Sequence, residues 1–462
     1  MFPPTDTTGD EASPAPSPAS FRRSLGTVGL TAQGLAAIGL TATAMVNIPQ
    51  IVELVGAKTW LCYLAASLVI VLMCETVILF RKVPAAADGI AGFVRDRFGD
   101  RPGNLTAWML LLGYAGNSLN CLTVFGYYLD YFLSRTGLST LPVMGFLIGG
   151  LLCYALARRD VKLSAMTMLG TETLAVIVVV VLCLLVLAGS GKPARLPEVL
   201  ESATSFDSFQ RGLILAILSF VGFESTATLG LETVDPLKTV PRSLRWSVWI
   251  SAGLFLFWAY VLSEGLRWLP TDQQSRKDAL ILLADEMKHP RAGTLINLGG
   301  FVCFFGATLA NLMALGRVIF ALAGRGYLPA SLAGVNPRLR TPVPALIVAS
   351  VIVTLVCSLL SLAGLNVVEM FDATGTFAVL GFLSCYLVVA VTAAFPHSTE
   401  RNGFWQWSLP VLTTLALLAV SASFLVGSVG SSLVVLICFA VLLAMGALRA
   451  YQATLVSEPK AD

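Results

Sequence analysis

The chain has 462 residues and a formal net charge of +3; 56% of the residues are hydrophobic and 12% charged, against roughly a quarter charged in an ordinary soluble domain. That composition excludes a soluble globular protein and describes a chain built for lipid. The small positive excess belongs to membrane topology and not to a nucleic-acid footprint, and with only His289 and His397 available no metal centre or cofactor is expected.

The first twenty residues, MFPPTDTTGDEASPAPSPAS, are rich in Pro, Ser and Thr, place acids before any base and lack an apolar run. They read as a disordered cytoplasmic tail, set at residues 1–24, and not as a secretory signal. Apolar segments of about twenty residues, the length that crosses a hydrocarbon core of about 30 Å, then recur to the end of the chain. Twelve are expected, at 27–52, 59–80, 104–133, 141–157, 163–189, 208–233, 244–268, 293–323, 342–363, 367–394, 405–427 and 431–451. All nine cysteines fall in or at the ends of these segments with no paired spacing, so neither disulfides nor a zinc site are suggested. With the amino terminus inside, most lysines and arginines fall on inner loops, among them Arg81, Lys82, Arg158, Arg159, Arg338 and Arg340. This bias predicts a multi-pass protein of the cell (cytoplasmic) membrane with both termini in the cytoplasm.

Two segments carry an interruption. A helix in lipid satisfies its backbone internally, and a break is tolerated only where protein or a watery cavity supplies other partners. In the sixth segment, SFVGFESTATLGLETVDP, Gly222 sits mid-membrane with Glu224 two residues on, and a carboxylate at that depth costs about 2.5–3.5 kcal/mol. In the first, LAAIGLTATAMVNIP, Gly39 is followed by Thr41, Ala42, Thr43 and Ala44 ahead of Pro49. Close helix packing explains small residues equally well when each segment is taken alone. Their placement at the head of two successive sets of five points instead to an inverted repeat with a binding site at the midplane. A half-helix starting near Ala42 offers N–H groups to an anion, one ending near Val221 offers carbonyls to a cation, and an amino acid needs both.

At these residues the sequence resembles the amino acid-polyamine-organocation (APC) permease superfamily. The resemblance covers nearly all of the chain after the tail. It is carried by SFVGFESTATLGLETVDPLKTVP at 219–241, ETVILFRKVPAAADGIAGFVRDRFG at 75–99 and GRVIFALAGRGYLPASLAGVNPRLRTPVPA at 316–345. It implies an all-α membrane protein with a LeuT-type 5+5 inverted repeat plus two peripheral helices: helices 1 to 5 in 25–200, helices 6 to 10 in 201–396, helices 11 and 12 in 397–453, and a cytoplasmic C-terminal tail at 454–462. It further implies that the amides of Ala42, Thr43 and Ala44 and the Thr43 hydroxyl receive a substrate carboxylate. The carbonyls of Leu40 and Val221, around Gly222, would receive the ammonium. Phe220 and Phe223 would supply an apolar wall and lid. Alanine at 42 and 44, where relatives carry glycine, narrows the approach to the backbone. Asn117 stands where the arginine/agmatine branch faces the substrate side chain, with Asn120 one turn away and Asn311 a weaker case. Leu218 replaces that branch's stacking aromatic, so a neutral side chain is expected.

Uphill transport needs a coupled ion. Glu224, desolvated beside the substrate, is the proton-coupling candidate, with a purely structural tie as its alternative; Glu172 is a second buried acid. Sodium is less favoured, because Thr308 stands beside Ala307 where sodium-binding relatives carry two hydroxyls. The loop charges Glu232, Asp235, Lys238 and Arg242 are expected to pair with the inner loop near Arg81. The function expected is secondary active transport of an amino acid, proton-coupled or by exchange. The alternatives are an amino acid sensor without transport, or a carrier of a small amine or polyamine. An enzyme is not expected, since no paired-acid metal motif or His cluster is present, nor is an obligatory partner subunit, since the loop SRTGLST lacks cysteine.

Overall fold

The break in the first apolar segment falls at Gly39. Helix α1 (Thr27–Ile38) ends there with φ 66°, the left-handed conformation that glycine adopts without strain. The chain resumes as α2 (Leu40–Ala42), a π-helical stretch Thr43–Asn47, and α3 (Ile48–Val55), with Pro49 in its first turn. The computed structural model describes residues 21–80, 87–135, 142–159, 161–189, 205–270, 273–274, 279–395, 404–428 and 433–457. The remaining helices of the first half are α4 (Thr59–Ile78), α5 (Ala91–Phe98), α6 (Asp100–Arg135), α7 (Pro142–Ala157) and α8 (Val161–Gly189).

The sixth segment repeats the interruption. Helix α9 (Phe206–Leu218) starts on an N-cap, Ser205, whose hydroxyl accepts from the Ser208 amide. After 219–224 the chain re-forms as α10 (Ser225–Thr228) and a 3-10 turn, Gly230–Glu232. Gly222 has φ 107°, and a Cβ there would lie 2.7 Å from the Ala37 carbonyl oxygen. Both the backbone conformation and the close approach to α1 therefore require glycine. Then follow α11 (Pro236–Leu266), α12 (Ala279–Glu286), α13 (Pro290–Ala323), α14 (Val343–Leu362), α15 (Val367–Ala393), α16 (Phe404–Ser428) and α17 (Leu433–Ser457). Asn366 opens α15 with a full capping box to Glu369.

Each expected apolar segment falls on helix, and among the described residues eight stretches are long and apolar enough to cross a membrane. The seventh begins eight residues before its expected start at 244, because Pro236 sits in the first turn, where no N–H partner is needed. The connector 269–292 contains α12, packed on α13. The interior is formed by α1, α6, α8, α13 and α15. Helices α6 and α15 cross at small residues: a Cβ on Gly381 would meet the Gly113 amide at 2.4 Å, and one on Gly116 the Ala378 amide at 2.6 Å. Such close backbone approach is how helices associate where lipid removes the hydrophobic drive. Large apolar side chains such as Leu151, Leu184, Val351, Leu355, Leu415 and Ile437 face outward.

Of the expected tail, residues 1–20 lie outside the described residues, while 21–25 form a strap across one end of the bundle. The Ser24 and Leu25 amides donate to the Glu232 carbonyl at 2.9 and 3.1 Å, and the Val234 amide donates to the Leu25 carbonyl at 2.9 Å. Phe21 packs edge-on against Phe320. Beneath the strap Arg317 grips both carboxylate oxygens of Glu232, at 2.8 and 2.9 Å, with both side chains buried. Glu232 thus pairs across to α13, and Asp235 and Lys238 pair locally at 3.1 Å; the expected partner loop near Arg81 lies outside the described residues. At the same end Asp88 accepts from Arg95 and Arg325 at 2.5 and 2.7 Å. Burial lowers the Arg325 guanidinium pKa from its ordinary value, and the Asp88 charge opposes the shift.

Candidate functional site

The two breaks meet. Gly222 lies against the Ala37 carbonyl, and the Asn47 amide donates to the Ser219 hydroxyl at 2.8 Å, with the Tyr63 hydroxyl 3.0 Å from the same oxygen. Between the breaks opens a cavity of about 390 Å³, within the size range of small-molecule sites. The first break contributes Gly39, Ala42, Thr43, Asn47 and Gln50; the second contributes Leu215, Leu218, Ser219 and Val221. Asn117, Asn120 and Cys121 of α6, Phe304 of α13, and Asp372, Thr376 and Val379 of α15 complete the wall. It lies toward α3 and the start of α9, the end of the bundle opposite the strap.

Of the residues singled out in sequence, Gly39, Ala42, Thr43, Asn117, Asn120, Leu218 and Val221 line this cavity. Leu40, Ala44, Gly222 and Asn311 adjoin the breaks but not the lining. Phe220 and Phe223 are fully buried elsewhere: Phe220 packs edge-on against Phe255 with centroids 4.9 Å apart, and Phe223 lies 5.7 Å from Tyr386. The turn after Leu218 rotates both rings away from the cavity.

The polar side chains have structural partners. Asn311 donates to the Ala307 and Ala37 carbonyls at 2.8 and 3.3 Å, and Asn117 donates to the Asn311 side-chain oxygen at 3.0 Å and to Ala37 at 3.4 Å. The Ala37 carbonyl lost its helical partner at the Gly39 break, and this asparagine pair supplies replacements. Asn120 secures the first turns of α15 through the Phe371 carbonyl at 2.7 Å and the Thr374 hydroxyl at 3.2 Å.

The second half of the first segment starts at Leu40, two residues before the expected Ala42, and the Thr43 amide already bonds to the Gly39 carbonyl at 3.3 Å. The Thr41 amide donates to Glu172 Oε1 of α8 at 3.3 Å, and Cys303 of α13 faces the same oxygen. Glu172 thus takes up the amide just ahead of those of Ala42, Thr43 and Ala44, the ones expected to meet a ligand. Glu224 folds back on its own break: Oε2 accepts from the Gly222 amide at 3.2 Å and from the Tyr386 hydroxyl, with Tyr114 close by. It is fully buried and does not line the cavity.

Sequence reasoning missed Asn47, Gln50, Ser219, Asp372 and Thr376. Among the described residues Asp372 is the sole charged side chain in the lining. Its signal was an acid one turn into an otherwise apolar segment. Asn47 and Gln50 flank Pro49, where the widened π turn of 43–47 marks the site.

The profile of the amino acid permease family matches residues 25–443. The chain belongs to this family. Curated relatives of this chain include cationic amino acid transporter 4 of Mus musculus, 24% identical over 389 residues, 80% of this chain and 60% of that protein. Another is the serine/threonine exchanger SteT of Bacillus subtilis, 21% identical over 362 residues, 75% of this chain and 76% of that one. The chain thus spans about three fifths of the length of the first curated relatives it matches. Among solved structures, MhsT in complex with L-phenylalanine superposes with a TM-score of 0.61 at 16% identity, covering 87% of this chain and 99% of that one. The likeness establishes the LeuT-type fold.

Proposed function

We propose that this permease carries an amino acid across the cytoplasmic membrane by alternating access, with the cavity between the two breaks as its substrate site. The observation that carries this reading is that both interrupted helices border one cavity, Gly39, Ala42 and Thr43 facing Ser219 and Val221. Helix breaks of this kind bring backbone amide and carbonyl groups beside the cavity, which suits the two charges of a zwitterion. The apolar part of the lining, Ile214, Leu215, Leu218, Phe304 and Val379, supports a substrate with a neutral side chain. The bundle built from α1–α4 and α9–α11 rocks against the other helices, with the strap end facing the cytoplasm and both termini there.

Proton coupling through Glu224, or substrate exchange, is favoured over sodium. Thr308 spends its hydroxyl on the Phe304 carbonyl at 2.7 Å, and Ala307 offers no side-chain oxygen. Asp372 supports a second reading, a small amine or polyamine as substrate, since a carboxylate in the lining suits an ammonium group. Uptake of radiolabelled amino acids and of amines by the full chain in proteoliposomes, with and without an inward proton gradient, decides between the readings. Saturable uptake of a neutral amino acid is expected; uptake of amines alone would move the reading to the second. Ligand-induced thermal stabilisation without uptake or counterflow of any candidate would make the protein a sensor.

A further inference from the structure

A second recess, of about 350 Å³, lies at the strap end of the bundle, away from the cavity between the breaks. Arg22 of the strap, Arg338 and Arg340 of the loop between α13 and α14, Glu232, Thr341 and Val161 line it. Three guanidinium groups thus converge from two separate stretches of chain on a recess in which, among the described residues, the one acid, Glu232, is gripped through both oxygens by the buried Arg317. Among the described residues no carboxylate pairs with the side chain of Arg338 or Arg340.

The loop that presents these arginines is rigid. Asn336 accepts from the Arg338 and Leu339 amides, both at 3.0 Å, and its own amide donates to the Thr341 carbonyl at 3.0 Å. Its carbonyl accepts from the Arg340 amide at 2.7 Å. The Thr341 hydroxyl ties the loop to the Arg158 carbonyl at the α7–α8 turn, at 2.9 Å. Arg340 is held at φ 53°, a left-handed conformation that costs a non-glycine residue energy and persists only where its surroundings enforce it. Arginine offers a planar fork of donors that matches phosphate oxygens. Basic pockets at the ends of membrane helices lie at headgroup depth, where anionic lipid is available.

We propose that this recess binds a phosphate group, supplied by an anionic phospholipid headgroup or by a free phosphate, and that the bound anion pins the strap against the 336–341 loop. Since the strap covers the Glu232–Arg317 pair, the ligand holds this end of the permease closed. The site is independent of the transport reading, because its occupancy is measured without transport.

The test uses the full chain in detergent and compares wild type with R338A/R340A and R338K/R340K. Retention of phosphatidylglycerol over phosphatidylcholine is read by native mass spectrometry, and stabilisation by inorganic phosphate against chloride at equal ionic strength by thermal shift. Each arginine at headgroup depth is worth about fivefold in affinity, so the double alanine variant should lose about twenty-five-fold and the lysine variant much less. Lipid retention without a phosphate shift identifies a headgroup; a phosphate shift without selective lipid retention identifies the free anion. Equal behaviour of wild type and R338A/R340A in both assays overturns the proposal, as does the absence of any preference for either anion in wild type. An R338A/R340A variant that melts with the wild-type midpoint in chloride shows that the loss is one of binding and not of folding.

Discussion

Replacing Gly222 by alanine tests the contact on which the site is built. The new Cβ would meet the Ala37 oxygen at 2.7 Å, the Ala37 carbonyl carbon at 2.8 Å and the Ile38 nitrogen at 3.1 Å, all backbone atoms that no rotamer change can move aside. Holding alanine at φ 107° adds strain of about 1–3 kcal/mol. Forcing the two segments apart adds about 1–3 kcal/mol more, so about 2–6 kcal/mol in all opposes the observed juxtaposition. At 1.4 kcal/mol per decade this is roughly a thirty-fold to ten-thousand-fold loss in any affinity that depends on it. Gly39→Ala pays only for the left-handed backbone, about 1–2 kcal/mol, because its Cβ would have ordinary contacts at 3.4 and 3.6 Å with Ala42 and Ala307. Gly253→Ala, in α11 with no atom within 4 Å of its new Cβ, is the control and should be neutral or slightly stabilising. Substrate affinity measured by thermal shift or calorimetry on the three variants should fall in the order Gly222, Gly39, Gly253. A Gly222→Ala protein that binds like Gly253→Ala would refute the argument that the breaks must touch.

Glu224→Gln keeps the acceptor for the Gly222 amide but cannot exchange a proton, so uptake in proteoliposomes should become independent of pH; an unchanged pH profile removes Glu224 from coupling. Arg317→Ala strands a buried carboxylate and should cost about 3–5 kcal/mol of stability by denaturant or thermal unfolding. The paired Glu232→Gln/Arg317→Met variant should cost clearly less, and equal losses would mean that the ion pair is not what Arg317 contributes. Asn311→Ala leaves the Ala37 carbonyl short of a partner and should lower stability by about 1–3 kcal/mol. Asn117→Ala, whose side chain faces the cavity, should raise KM more than it lowers the melting temperature.

The fold was legible because its signals are local. Apolar segment length sets the helices, and Gly39 and Gly222 stand out as the residues that can turn a helix out of register inside an apolar run. What escaped depends on rotation about those breaks. A glycine hinge does not specify which way the chain leaves it, so Phe220 and Phe223 could not be assigned to cavity or core from position alone. The start of the second half-helix was misread by two residues for a related reason. Thr41, Ala42 and Thr43 are all compatible with helix, and the left-handed residue is Gly39 itself. Asp372 and Ser219 enter the cavity only through packing of α15 and α9 on α6 and α4, and no periodicity reports that. The reach of Arg317 back to Glu232, 85 residues earlier in the chain, lay equally beyond local reading.

In the transport cycle proposed above, opening at the strap end would have to break the strap and expose the Glu232–Arg317 pair. The three backbone hydrogen bonds of the strap are worth about 0.5–1.5 kcal/mol each, a few kcal/mol together. While the strap is down, Phe21 on Phe320 and the buried Leu25 keep water from the ion pair, and separating two desolvated charges is costly. Once it lifts, the same pair becomes a solvated one worth about 0–1 kcal/mol. Opening at this end would then be cooperative: the strap need not be strong, because what it controls is the dielectric around the ion pair beneath it.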